Sequence, residues 1–141
     1  MEVLKRLQKK IRFDILLIEN KSHADTLQLK SQCSLFIDQI SDLGFGINSI
    51  ESLAMGIPTF TSLVPGYKKL YPEAPFIAVD KNNLEYELYR LIDDPEARIK
   101  LGKLSYEWVR KHHDMSAVVK QMYRIASGKI PGLQEVISTF E

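Results

Sequence analysis

Four short apolar runs, at residues 13–19, 33–37, 57–61 and 75–79, alternate with segments whose apolar residues recur at helical spacing. Each run has the length of a strand. Strands that alternate with helices require crossover connections, so the chain is expected to build a parallel sheet with helices on both faces. The first run, Phe13-Asp14-Ile15-Leu16-Leu17-Ile18-Glu19, is nearly continuous in apolar character, the pattern of a strand covered on both sides. Val3, Leu4, Leu7 and Ile11 stripe a first helix, a second begins near Ser22 or His23, and a third spans roughly residues 47–55. Pro58 stands near the start of its strand, where proline is tolerated.

Beyond Asp80 the pattern becomes purely helical. Leu84, Leu88, Leu91 and Ile92 mark one helix, and Asp94-Pro95 opens another, with Leu101, Leu104 and Trp108 on one face. Asp114 or Ser116 can cap a third, striped by Val118, Val119, Met122 and Ile125 and ended by Gly128. Ile130, Leu133, Ile137 and Phe140 could add an apolar edge to the tail. The expected division is one domain over residues 1–127 and a C-terminal tail, with helical character, over 128–141.

A length of 141 residues suits one core without disulfides or metal. A net charge of +1, with lysines and arginines scattered, gives no electrostatic reason to expect nucleic acid. The single Cys33 lies in an apolar run, so no disulfide framework exists and a reducing, cytoplasmic setting is favoured. No apolar segment approaches bilayer-spanning length and Met1-Glu2-Val3-Leu4-Lys5 lacks a signal-peptide core. A soluble chain is therefore expected, and peripheral membrane contact stays compatible with it.

Parallel sheets bind ligands at the carboxyl ends of their strands, which directs attention to the loops at 19–23, 38–46 and 62–67. In the second, Gly44-Phe45-Gly46 stands at a strand-to-helix turn. Missing side chains let a ligand approach the backbone, and free amides at a helix start attract an anion such as a diphosphate, with Asn48 and Ser49 as further donors. At about 100° per residue, Ile47, Ile50, Leu53 and Ala54 form the expected buried stripe, and Glu51 falls between Ile47 and Met55. A carboxylate at the margin of an apolar face needs a partner. Two ribose hydroxyls would serve, as would a neighbouring lysine or a backbone amide. The glycines alone also fit a plain tight turn. The dinucleotide fingerprint is excluded, because Ser49 occupies its third glycine position and no acidic residue follows the next strand near Thr61.

The run Gly44-Phe45-Gly46-Ile47-Asn48-Ser49-Ile50-Glu51-Ser52-Leu53-Ala54-Met55-Gly56-Ile57-Pro58 resembles the donor-site signature of the large retaining GT-B glycosyltransferase family that includes capsule and lipopolysaccharide enzymes. Asp38-Gln39 before the loop and the stretch from Tyr106 to His113-Asp114 are similar to a branch of it. The resemblance implies a Rossmann-like domain, the C-terminal half of a GT-B architecture. It implies that the Gly44-Phe45-Gly46 loop meets the donor diphosphate, that Glu51 binds the donor ribose and that His23 lies near the base, with Ile47 and Asn48 also in the donor site. The substrate would be a nucleotide-diphosphate sugar, without a metal or other cofactor, serving polysaccharide biosynthesis.

Two departures qualify the resemblance. Leu43 stands where the family has a glutamate that contacts the transferred sugar, so that role passes to Asp42 or Gln39 or is absent. The family domain also begins one strand earlier, with a phosphate-neutralising arginine or lysine, after an acceptor domain. Lys5 and Lys10 do not match those positions. Cleavage of a sugar–phosphate bond places negative charge on the departing diphosphate, so the chain alone is expected to be inactive and to need that N-terminal acceptor domain as partner. Surface uncovered in this way favours a homodimer or an aggregation-prone monomer.

Other readings stand beside this one. A non-catalytic nucleotide-binding or interaction module that kept the fold is the alternative function, and half of a nucleotide-sugar epimerase is a third. His112-His113 does not suggest a metal site, since adjacent helical residues diverge. Tyr67 and Lys68 could border the donor, although solvation of the lysine is the commoner case. Trp108 is expected in the core.

Overall fold

A computed structural model describes residues 2–40 and 44–128 of the chain. Among them are seven helices and a three-stranded parallel sheet, a mixed α/β arrangement. In chain order the elements are α1 (Glu2–Leu7), α2 (His23–Lys30), β1 (Phe36–Ile37), α3 (Ile47–Ala54), β2 (Thr59–Thr61), α4 (Tyr67–Leu70), β3 (Ile77–Ala78), α5 (Leu84–Asp93), α6 (Pro95–His112) and α7 (Met115–Ala126). Ser41, Asp42, Leu43 and the tail at 129–141 lie outside the described residues, as do the expectations attached to Leu43, Asp42 and the tail.

Strand order is β1-β2-β3, all parallel. Ile37 registers with Phe60 and Phe60 with Ile77, so one row of apolar side chains crosses the sheet. Ile37, Phe60 and Ile77 share a core cluster with Leu7 of α1, Leu88 and Leu91 of α5, and Val79. Side chains alternate across a strand. Phe76, one position before Ile77, accordingly belongs to a second cluster with Leu53 of α3 and Trp108 and Val109 of α6. Thr59 and Thr61, flanking Phe60, are fully buried, and their hydroxyls bond to the carbonyls of Ile57 and of Gln39 and Ser62. Each face of the sheet is thus covered by its own cluster.

Helix ends follow local chemistry. The Ser22 hydroxyl accepts from the Asp25 amide and caps α2, and the Asp94 carboxylate accepts from the Ala97 amide at the start of α6. Asp114 caps α7 by accepting from the Ser116 amide and hydroxyl, which gives the His113-Asp114 pair a structural use. Gly56 ends the α3 segment with φ +73°, a left-handed conformation that favours glycine. A methyl group on Gly102 of α6 would collide with the Gly56 carbonyl, so this pair of glycines sets how closely α6 approaches.

Three expectations need correction. The run at 13–19 is not a strand: among the described residues no strand pairs with it, and without a ladder its backbone groups do not make sheet. Phe13 packs on the first cluster, while Leu17 is 61% exposed, so the run is not covered on both sides. On α3 the buried residues are Ser49, Ser52 and Leu53, with Ile47 77% exposed and Ala54 exposed. Small hydroxyls take the inner face because they are satisfied there, Ser49 by Asp38 and Ser52 by the Asn48 carbonyl. Leu104 is exposed although Trp108 on the same helix is buried.

The chain divides into two compact units, residues 1–109 and 110–141. The second contains α7, whose Met115, Val119, Met122 and Tyr123 are exposed. No helix among the described residues is long and apolar enough to cross a membrane.

Candidate functional site

β1 ends at Ile37, and the next residue, Asp38, reaches across to the start of α3. One Asp38 oxygen, Oδ2, accepts from the Ser49 hydroxyl at 2.6 Å and from the Gly46 amide at 3.4 Å. The Gln39 side-chain amide donates to the Gly44 carbonyl at 2.7 Å, tying the other end of the same turn. Gly44 has φ +77°, a left-handed conformation that favours glycine, and a Cβ there would press on the Val64 side chain at 3.2 Å. Asp38 and Gln39 therefore shape the loop.

Gly46 is the N-cap of α3 and offers no side-chain cap. Helix geometry leaves the amides of Ile47 and Asn48 without an intrahelical acceptor. Ile47 is exposed beside them. An anion could approach this first turn from the solvent side, favoured by the helix dipole. The Asp38 carboxylate, already on the Gly46 amide, opposes a second negative group at that point.

Phe45 points away from solvent. Its ring stacks on Phe76 at a centroid distance of 4.4 Å and meets Tyr67 edge-on at 5.0 Å, and Phe76 in turn meets Trp108 at 5.6 Å. Phe45 thus anchors the loop to the second core cluster. Tyr67 is drawn into the same group, and burial, with smaller contributions from Tyr71 and Glu73, pushes its phenol up to about 12. Lys68 is exposed.

Glu51 is the electrostatic centre of the region. Its Oε2 accepts from Lys30 Nζ at 2.8 Å, and its Oε1 lies 2.7 Å from His23 Nε2. The two partners differ sharply: Lys30 is 1% exposed and the His23 side chain 72%. Burial pushes the Glu51 carboxyl up, but the hydrogen bonds and charges of Lys30 and His23 outweigh it and hold the group below its ordinary value of 4.5. Lys30 also donates to the carbonyl and to Oδ1 of Asn48, at 3.2 and 2.9 Å, and sits 4.8 Å from the Phe36 ring centroid. An ammonium has three N–H donors, and all three are used.

The structure therefore brings together His23, Asn48 and Glu51, and places Gly44, Gly46 and Ile47 along the same loop and helix start. Phe45 belongs to the core beneath them. The partner of Glu51 is thus a neighbouring lysine, one of the groups its position on the margin of α3 allows, and that lysine is Lys30. The signal was present in the spacing: His23 and Lys30 are seven residues apart on α2, two turns, and so lie on one face. Among the described residues, no group of three His, Cys, Asp or Glu could hold a metal ion.

No family model matches the chain, and no curated protein and no solved structure matches it either.

Proposed function

We propose that the chain is the donor-binding domain of a nucleotide-sugar glycosyltransferase, a Rossmann-like domain of GT-B type that binds a nucleotide-diphosphate sugar. The observation that carries this reading is the Glu51 carboxylate, held ionised beside the uncapped start of α3, with one oxygen on the solvent side. A carboxylate accepts hydrogen bonds from a vicinal diol and a helix start favours an anion, the two kinds of group that a nucleoside diphosphate carries in one ligand. The resemblance of residues 44–58 to the family's donor signature points the same way.

Sugar transfer would also need an acceptor site and cations on the leaving diphosphate. Lys30 does not supply one, because its three donors are committed to Asn48 and Glu51. The domain is accordingly expected to bind nucleotide and to transfer sugar only with an acceptor domain.

One observation favours a second reading, a non-catalytic interaction module that kept the fold and binds no nucleotide. Both Glu51 oxygens already have protein partners, so the carboxylate is satisfied without a ligand. Calorimetric titration with UDP, GDP and ADP, against the corresponding nucleosides, separates the two. Diphosphate-dependent binding to one of the three supports the donor domain, and heat from none of them leaves the interaction module.

A further inference from the structure

We propose that Lys30 is a positioning residue whose buried ammonium fixes Glu51 Oε2 and Asn48, leaving Glu51 Oε1 as the acceptor for a vicinal diol, with exposed His23 as the group that the diol displaces. The inference rests on the reading of this region as a nucleotide site and adds to it a residue outside residues 44–58.

Lys30 closes α2 and is almost completely buried, an expensive place for a cation unless every donor is met. Here each is met, two by Asn48 and one by Glu51, and the Phe36 ring lies against the charge. Lys30 has no donor left for a ligand. Its effect must pass through the two α3 side chains it holds, one turn apart on the helix that starts at Gly46. Glu51 cannot rotate freely while Oε2 is bound to a buried group. Oε1 is held differently. Its partner His23 is at the solvent-facing start of α2 and gives up little on leaving, because water can satisfy an exposed imidazole. One oxygen is thus fixed and the other exchangeable, which suits an acceptor that must be aimed before the ligand arrives.

The test compares UDP, GDP and ADP with their 2′-deoxy counterparts, binding to the wild-type chain and to Lys30→Met. A hydrogen bond to a charged group corresponds to roughly tenfold or more in affinity. The wild-type chain should prefer the ribonucleotide by about that factor, and Lys30→Met should bring the ratio near one. An unchanged ratio in Lys30→Met overturns the role of Lys30 and leaves the nucleotide site standing. Wild-type binding with no ribose preference does the same. Absence of all nucleotide binding removes both. Should Lys30→Met fail to fold, nitrogen-15 spectra of the wild-type chain decide: on addition of the bound nucleotide the His23 ring signals should move and the Lys30 ammonium stay protected. A displaced Lys30 with His23 unmoved contradicts the proposal.

Discussion

Lys30 and His23 stand seven residues apart on α2 and hold opposite oxygens of one carboxylate, that of Glu51, at 2.8 and 2.7 Å. The inner contact is buried and the outer one is open to solvent, so the two contribute unequally. A surface pair is worth little after solvent screening. Removing one partner of a buried pair leaves the other uncompensated.

Replacing Lys30 by alanine should therefore destabilise the chain by roughly 3 kcal/mol, the lower end for breaking a buried pair since Glu51 keeps some contact with water. Replacing His23 by alanine should cost less than about 1 kcal/mol. Urea denaturation of the two variants measures the difference. Equal losses would contradict the assignment of Lys30 as the inner anchor.

Glu51 also links stability to pH. Its carboxyl is held below 4.5 in the folded chain, so the unfolded state takes up a proton first as pH falls. The contribution of Glu51 is complete above that value and is lost as pH drops through the folded-state value. Stability of the wild-type chain should decline below about pH 4.5, and Glu51→Gln should decline less steeply over that range. Parallel acid profiles for the two proteins, measured by thermal unfolding from pH 3 to pH 7, would show that Glu51 is not linked in this way.

The Gly56 and Gly102 contact makes a separate claim about packing. Gly102→Ala places a methyl group against the Gly56 carbonyl, which is backbone and cannot swing aside. Overpacking of this kind costs about 1–3 kcal/mol, against a small gain in helix propensity from alanine. Lys103→Ala, at the exposed neighbouring position, should be near neutral. A melting temperature for Gly102→Ala equal to that of Lys103→Ala contradicts the close approach.

Much of the fold was legible in the sequence. The runs at 33–37, 57–61 and 75–79 contain the three strands, because each is short, apolar and bounded by turn residues, and capping chemistry at Asp94 and at Asp114 or Ser116 announced two helices, the cap of the second being Asp114. The run at 13–19 misled because apolar character registers burial potential, whereas a strand also needs a neighbour to bond with. Ser49 and Ser52 misled in the opposite sense. A hydropathy stripe cannot anticipate that Asp38, eleven residues from Ser49, will satisfy a hydroxyl inside. In the site, the glycine turn and Glu51 were readable from spacing along one segment. Phe45 looked like a loop residue until its ring was seen against Phe76 and Tyr67, a contact between segments that no local pattern encodes. Lys30 was hidden for the same reason, since a lysine at a helix end reads as solvated.

The start of α3 and Glu51 together are proposed to recognise a nucleoside diphosphate. Chemical-shift mapping of the backbone amides during titration with UDP, GDP and ADP tests that recognition most directly. Saturable shifts for at least one of the three, concentrated at Gly44, Gly46, Ile47, Asn48 and Glu51 and reduced in Glu51→Gln, are the predicted result. Shifts confined to other parts of the chain, or none with any of the three at millimolar concentration, would contradict it.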